Sequence, residues 1–428
     1  MLKGLFKTAF ARNTGWMIAG QGLRLVIQAL YFIEIARSLG VRNYGAFVGV
    51  VALVAMIYPF GSLGGGNLLI KNVARDRRLF AAYWGRALAL TACFGTLLIV
   101  GVSYVAHWVL PAAIPLRLVV LVGAADILGL NVVTISAQAF QAFERLNWTA
   151  SIYVLLSSGR LIGALLLIVL HPHPSALNWG FLYFGSTAVI TLVASLLVCT
   201  RLGLPEFEWP HSLAEMREGV YFAASQTAQT VYNDIDKTML ARLSTLEATG
   251  IYGAAYRIVD VSFVPISALL WSAYPSMFRH GAKGISATLV YAKPLLRRAL
   301  LYAALVCAAL LVSAGAVPYF LGKEFEPTAE ALRWLAVLPI LKSTHYFLSD
   351  TLSGSGHQLA RTSMQAGVAV FNVLVNLWII PAYSWRGAAW SSIMSDGALV
   401  LGVGAAVFFF SRRSSQAVGS VIVAPLCG

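Results

Sequence analysis

Asp234, Asp236 and Lys237 stand together in QTVYNDIDKTMLARL, residues 229–243, between long apolar runs. Ser225, Gln229, Tyr232 and Asp236 share one line at helical spacing, and Gln226, Thr230, Asn233 and Lys237 share the next. A matching stripe of Gln21, Arg24, Gln28 and Tyr31 crosses an early apolar segment. Asp126, Arg160, Arg257, Asp260, Lys342 and Asp396 also fall deep inside apolar runs. An ionised side chain at the centre of a bilayer costs about 2.5 to 3.5 kcal/mol on insertion scales, so each such position requires a reason. Carboxylates in such surroundings can bind H+ or Na+, and guanidinium or ammonium groups can hold an anion. Mutual neutralisation is the other reading, with Asp236 pairing with Lys237 or Arg257 and Asp126 with Arg160.

Catalytic chemistry has no matching constellation, and no cofactor or metal is expected. GSLGGGNLLIK, residues 61–71, lacks the terminal GK[ST] of a phosphate loop. HPHP at 171–174 has no Glu or Cys at ligand spacing, and no Ser/His/Asp order suggests a triad. His345 near Lys342 is readable as a proton carrier or as a hydrogen-bonded interior histidine. The four cysteines are scattered, and Cys93, Cys199 and Cys307 fall in apolar segments as packing residues.

The elements that must position these charges are membrane helices. Of the 428 residues 59% are hydrophobic and 11% charged, with a mean hydropathy of +0.76. Twelve spans are predicted, at 14–37, 44–66, 86–110, 115–139, 148–170, 179–200, 219–242, 250–278, 297–320, 330–352, 362–382 and 387–410. The net charge is +14, and its distribution reads as a topology signal and contact with anionic membrane lipids, not as a nucleic-acid surface. With the N-terminus cytoplasmic, 19 Lys and Arg residues lie on the inner side and seven on the outer side (Arg37, Arg42, Arg117, Arg242, Lys323, Arg333 and Arg386). Both termini are therefore expected inside.

An internal repeat divides the chain. ARSLGVRNYGAFVGVVALVAMIYP (36–59) parallels ARLSTLEATGIYGAAYRIVDVSFVP (241–265), and residues 138–152 parallel 350–364. The expected organisation is all-α: a six-helix lobe at 1–205, a cytoplasmic linker at 206–218, a second six-helix lobe at 219–410 and a tail at 411–428. An even number of spans per half gives the two lobes one orientation. The polar stripes are then expected to line a water-filled cavity between the halves, since polar groups at that depth need protein or water around them. Arg24 and Arg160 outnumber the comparably deep acids of the first half, and the surplus calls for an anionic guest.

Residues 13–76 (NTGWMIAGQGLRLVIQALYFIEIARSLG and onward) resemble the opening of polysaccharide transporters, the Wzx-type oligosaccharide flippases. Asp236-Lys237-Thr238-Met239-Leu240 followed by Tyr252-Gly253 is similar to a second pattern of that family. The resemblance implies a fold shared with multidrug (MATE) exporters and the lipid II flippase, two six-helix lobes around a central cavity. It also implies an undecaprenyl-pyrophosphate-linked oligosaccharide moved from the cytoplasmic to the outer leaflet of a bacterial inner membrane, during O-antigen or exopolysaccharide synthesis. Polysaccharide polymerase and chain-length machinery would be the partner proteins. Arg24 fits the first-helix cation of such flippases; Arg160, Lys237, Arg257 and Lys342 would complete a cationic site. Gln21, Gln28, Asn131, Gln138, Asn233 and Asn376 would meet sugar hydroxyls, and Asp126, Asp236 or Asp260 would bind a coupling H+ or Na+. A cation-coupled multidrug exporter of the same fold, a major-facilitator transporter and a membrane glycan polymerase remain alternatives.

The charge asymmetry makes one expectation directly measurable. In a cysteine-free background, Arg42→Cys and Lys323→Cys should react with an impermeant maleimide added outside, and Lys283→Cys only after permeabilisation. The opposite pattern would invert the topology.

Overall fold

The computed structural model describes residues 2–207 and 213–422, and every regular element among them is helical. In chain order these are α1 (Leu2–Ile57), α2 (Gly65–Val73), α3 (Phe80–Val109), α4 (Leu116–Gly123), α5 (Asn131–Ala142), α6 (Leu146–Leu170) and α7 (Ala176–Arg201). They continue as α8 (Leu213–Leu243), α9 (Leu246–Gly281), α10 (Ile285–Ser313), α11 (Val317–Leu321), α12 (Glu326–Leu335), α13 (Leu338–Gly354) and α14 (Gln358–Ile422).

Eight of the described helical stretches are long and apolar enough to cross a membrane. Two of them, 43 and 56 residues long, would run roughly 65 and 84 Å if straight, at about 1.5 Å per residue, against a hydrocarbon core of about 30 Å. Each is broken once. α1 leaves helical geometry at Gly40 (φ 68°, ψ 170°), and Phe32 then meets Tyr44 with ring centroids 6.0 Å apart, a contact impossible along one straight helix. α14 breaks at Ser384 (φ 54°, ψ −135°), which brings Asn372 Nδ2 within 2.9 Å of Ser395 Oγ. Gly40 adopts its left-handed φ without a Cβ clash, whereas Ser384 holds a strained backbone. α8 and the α12–α13 pair, whose polar residues lower their hydropathy, cover the two remaining expected spans.

The fourth span, Leu116–Ala142, is one helix with a π-helical segment at Ala124–Leu130. Such segments insert an extra residue into a turn, and they recur at functional sites. Here the inserted stretch carries Asp126.

The fold comprises two compact units, Met1–Gly250 and Ile251–Gly428. Within the first, α2, α3, α5, α6 and α7 share a core built on Trp84, Phe140 and Ile152. α8, which the repeat assigned to the second lobe, packs against α1 and belongs to this unit. Its first turns are tied down by ions: Glu215 accepts from Arg86 Nη1 at 2.8 Å and Tyr83 Oη at 2.6 Å, and Lys71 Nζ reaches Glu218 at 2.6 Å. Within the second unit, Phe263, Met277, Ala299 and Phe347 from α9, α10 and α13 form the core.

The Gly45/Gly49 pair serves close packing. A Cβ on Gly45 would lie 1.8 Å from the Leu246 carbonyl oxygen, and one on Gly49 would lie 3.0 Å from Ala241 Cβ. Gly45→Val must therefore push the α8–α9 junction off α1, at a cost of about 1 to 3 kcal/mol for overpacking. Thermal unfolding of the purified protein should register a lowered midpoint; an unchanged midpoint would mean that the close contact is not made.

Candidate functional site

On α1, Gln21, Arg24, Gln28 and Tyr31 are half-buried. Leu23, Val26 and Leu30 on the other face are 52%, 59% and 51% exposed, the division expected when lipid covers one side of a helix and protein the other. Gly20 lets α1 approach α6 closely, since a Cβ there would lie 2.8 Å from Ala150 Cβ. One turn later Arg24 places its guanidinium 5.0 Å from the ring centroid of Tyr153. A cation over an aromatic face is stabilised by the ring quadrupole, more strongly where water is sparse.

Seven residues along the same face of α6 comes Arg160. Its Nη2 donates to Asp126 Oδ1 at 2.9 Å, and Tyr183 Oη donates to the same oxygen at 2.8 Å. The guanidinium also lies 4.3 Å from the Tyr183 ring centroid. The side chains of Arg160 and Asp126 are 17% and 7% exposed. Asp126 is thus both a partner of Arg160 and a buried carboxylate. Nearby, Tyr58 Oη and Thr134 Oγ1 are 3.1 Å apart, and Asn131 uses its amide on the carbonyls of Tyr58 and Ile127 at 3.0 and 2.9 Å. The Asn131 amide nitrogen therefore clamps backbone. Gln138 lies against Gly66, where any Cβ would collide with its Oε1.

In α8, Asp234, Asp236 and Lys237 make contacts within one turn of helix. Lys237 is buried; its Nζ reaches Asp234 Oδ1 at 2.6 Å and the Asn233 carbonyl at 2.9 Å. Asp236 is buried as well, and its Oδ1 accepts the Lys237 backbone N–H at 2.7 Å.

The second unit holds its own polar interior. Lys342, buried on α13, donates to Tyr256 Oη at 2.8 Å and stands 3.7 Å from Asp260 Oδ1. Arg257, beside them on α9, is half-buried. His345 Nε2 is 3.3 Å from Asp396 Oδ1, with both side chains almost fully buried. Asn376 donates to Asn372 Oδ1 at 2.9 Å, and Asn372 in turn donates to Ser391 and Ser395. Asn376 is thereby part of a buried amide–hydroxyl chain. Among the described residues, no three His, Cys, Asp or Glu side chains converge as metal ligands.

Sequence spacing singled out the cations but not the aromatic rings that seat them. Tyr153 lies seven residues before Arg160, and Tyr256 lies four before Asp260, so helical phasing already placed both on charged faces. Tyr183 and Asp396 reach their partners from other helices, and no local spacing signals them.

The family described as polysaccharide biosynthesis protein matches residues 10–280. No curated protein sequence matches the chain. Solved structures of the same fold include a multidrug resistance MATE family transporter of the MOP superfamily in an inward-facing conformation. It is 14% identical, with a TM-score of 0.73 over 94% of this chain and 98% of that one. The lipid II flippase MurJ in an inward closed conformation is 9% identical, with a TM-score of 0.72 over 91% of this chain and 87% of that one. A MOP superfamily transporter from Pyrococcus furiosus, described as having a binding pocket of reverse polarity, is 14% identical, with a TM-score of 0.66 over 96% of both chains. At these identities the likeness establishes a MATE-like membrane fold.

The Lys237–Asp234 pair lends itself to a double-mutant cycle. Asp234→Asn removes the carboxylate contact made by the buried ammonium at 2.6 Å, and breaking a buried pair costs about 3 to 5 kcal/mol, discounted here because Asp234 is 30% exposed. The membrane protein level should fall, and adding Lys237→Met should restore most of it. A double variant no more abundant than Asp234→Asn alone would refute a structural pair.

Proposed function

Starting from the chain's membership of the polysaccharide biosynthesis protein family, among MOP-superfamily polysaccharide transporters, we propose that it flips a pyrophosphate-linked oligosaccharide lipid. The carrier is undecaprenyl pyrophosphate, and the direction is from the cytoplasmic to the outer leaflet of a bacterial inner membrane, with both termini cytoplasmic. The chemical difficulty of that task is electrostatic. The polyprenyl tail stays in hydrocarbon throughout, but a pyrophosphate carries about two negative charges through a layer where an unpaired charge is expensive.

Arg24 is the observation that carries this reading. It lies about ten residues into its span, roughly 15 Å deep at 1.5 Å per residue, half-buried and set against Tyr153. Arginine keeps its charge at any physiological pH, and its planar fork donates two parallel hydrogen bonds to a phosphate. Arg160 and Lys237 in the first unit, and Arg257 and Lys342 in the second, are further candidate phosphate contacts, and Gln21 and Gln28 on the Arg24 stripe offer hydrogen bonds to sugar hydroxyls. Alternating access would carry the headgroup across, with Asp126, Asp236 or Asp260 as sites for a driving H+ or Na+. A cationic drug would meet repulsion from the same guanidinium groups, which favours an anionic substrate over the multidrug alternative.

Hydrogen bonds to a charged group are worth about 1.5 to 3 kcal/mol, so Arg24→Ala should lower polymer export about tenfold or more at normal protein level. Arg24→Lys, which keeps the charge but not the fork, should retain part of it. Complementation of a flippase-deficient strain, with protein quantified by immunoblot, reads both. Wild-type export by the alanine variant would end the pyrophosphate reading.

A further inference from the structure

Arg160 is held in an incomplete way. Its contact with Asp126 is a single bond from Nη2, although a guanidinium can bind a carboxylate through two parallel N–H groups. Its Nε is buried and has no hydrogen-bond partner among the described residues. The carboxylate is better placed than the guanidinium, because Tyr183 donates to the same Oδ1 and would keep that oxygen satisfied if Arg160 turned away. Tyr153, which seats Arg24, and Arg160 lie on one face of α6, separated by seven residues or roughly 10 Å along the axis. The first unit thus carries two deep guanidinium groups about two turns apart, with the second engaged by an internal anion.

We propose that Asp126 is a displaceable stand-in for substrate phosphate. Its carboxylate occupies Arg160 when no headgroup is near, and the pyrophosphate of the lipid-linked sugar exchanges with it after engaging Arg24. This rests on the flippase reading and deepens it, assigning Arg160 as a second phosphate subsite and Asp126 as its internal competitor. The exchange replaces one single-point carboxylate contact by a group with more oxygens and more charge, able to reach Nε as well as Nη2. It removes the cost of leaving a guanidinium bare in the membrane while the carrier is empty. The π-helical segment supplies the means of withdrawal: one extra residue in a turn corresponds to about 100° of rotation, so rewinding it as α-helix would turn Asp126 away from α6.

Binding of farnesyl diphosphate to the full-length protein in detergent micelles tests the exchange, with farnesol as the uncharged control. Asp126→Asn should bind the diphosphate about fivefold more tightly than wild type, and Arg160→Gln about fivefold more weakly. The double variant should bind no more tightly than Arg160→Gln. In the wild-type protein, carbodiimide labelling of Asp126, read by mass spectrometry, should rise when farnesyl diphosphate is added, so the idea stays testable if Asp126→Asn fails to fold. Unchanged or weaker binding by a folded Asp126→Asn, or labelling that stays constant or falls, overturns the proposal. If Arg24→Ala weakens diphosphate binding while Asp126→Asn leaves it unchanged, only the competitor role is lost. If neither arginine separates the diphosphate from farnesol, the flippase reading fails with it.

Discussion

The cost of a bare charge in hydrocarbon governs the interior of this protein. It is why Arg160 meets Asp126, why Lys237 meets Asp234 and why Lys342 lies beside Tyr256 and Asp260. These pairs differ in how they close. Lys237 finds Asp234 within one turn of its own helix, an arrangement that survives any movement of α8 as a rigid rod. Arg160 depends on residues from the fourth span and from α7, so its pairing is sensitive to how those helices sit against α6.

Aromatic faces share the work of the carboxylates. Arg24, Arg160 and Lys342 each stand over a tyrosine ring, at 5.0, 4.3 and 4.5 Å. A ring face stabilises a cation without cancelling its charge, whereas a carboxylate partner neutralises it.

Departures from regular helix lie where the chain must turn or aim a side chain. Gly40 and Ser384 break two long helices, and the π-helical segment at Ala124–Leu130 carries the buried Asp126. Gly45 and Gly250 bring backbone against backbone, each leaving no room for a Cβ beside a carbonyl oxygen of the neighbouring segment. Such contacts replace the hydrophobic drive that is missing between helices in lipid by close van der Waals approach.

Twelve spans were legible in the sequence because membrane helices obey one length and one polarity rule, and Asp126 beside Arg160 was foreseeable because opposite charges at matched depth have few other options. The α1 stripe was equally legible, since its period is that of a single helix. Tertiary structure alone decided that Asn131 and Asn376 hold protein groups, that Lys342 lies beside Tyr256 and Asp260, and that Tyr183 and Asp396 reach Asp126 and His345 from other helices. The division between these two lists is physical. Hydropathy and helical phase are properties of one segment against a uniform solvent, whereas the choice among polar partners turns on helix rotation and crossing, and on π-turns that shift a side chain by about 100°, none of which leaves a periodic trace in the chain.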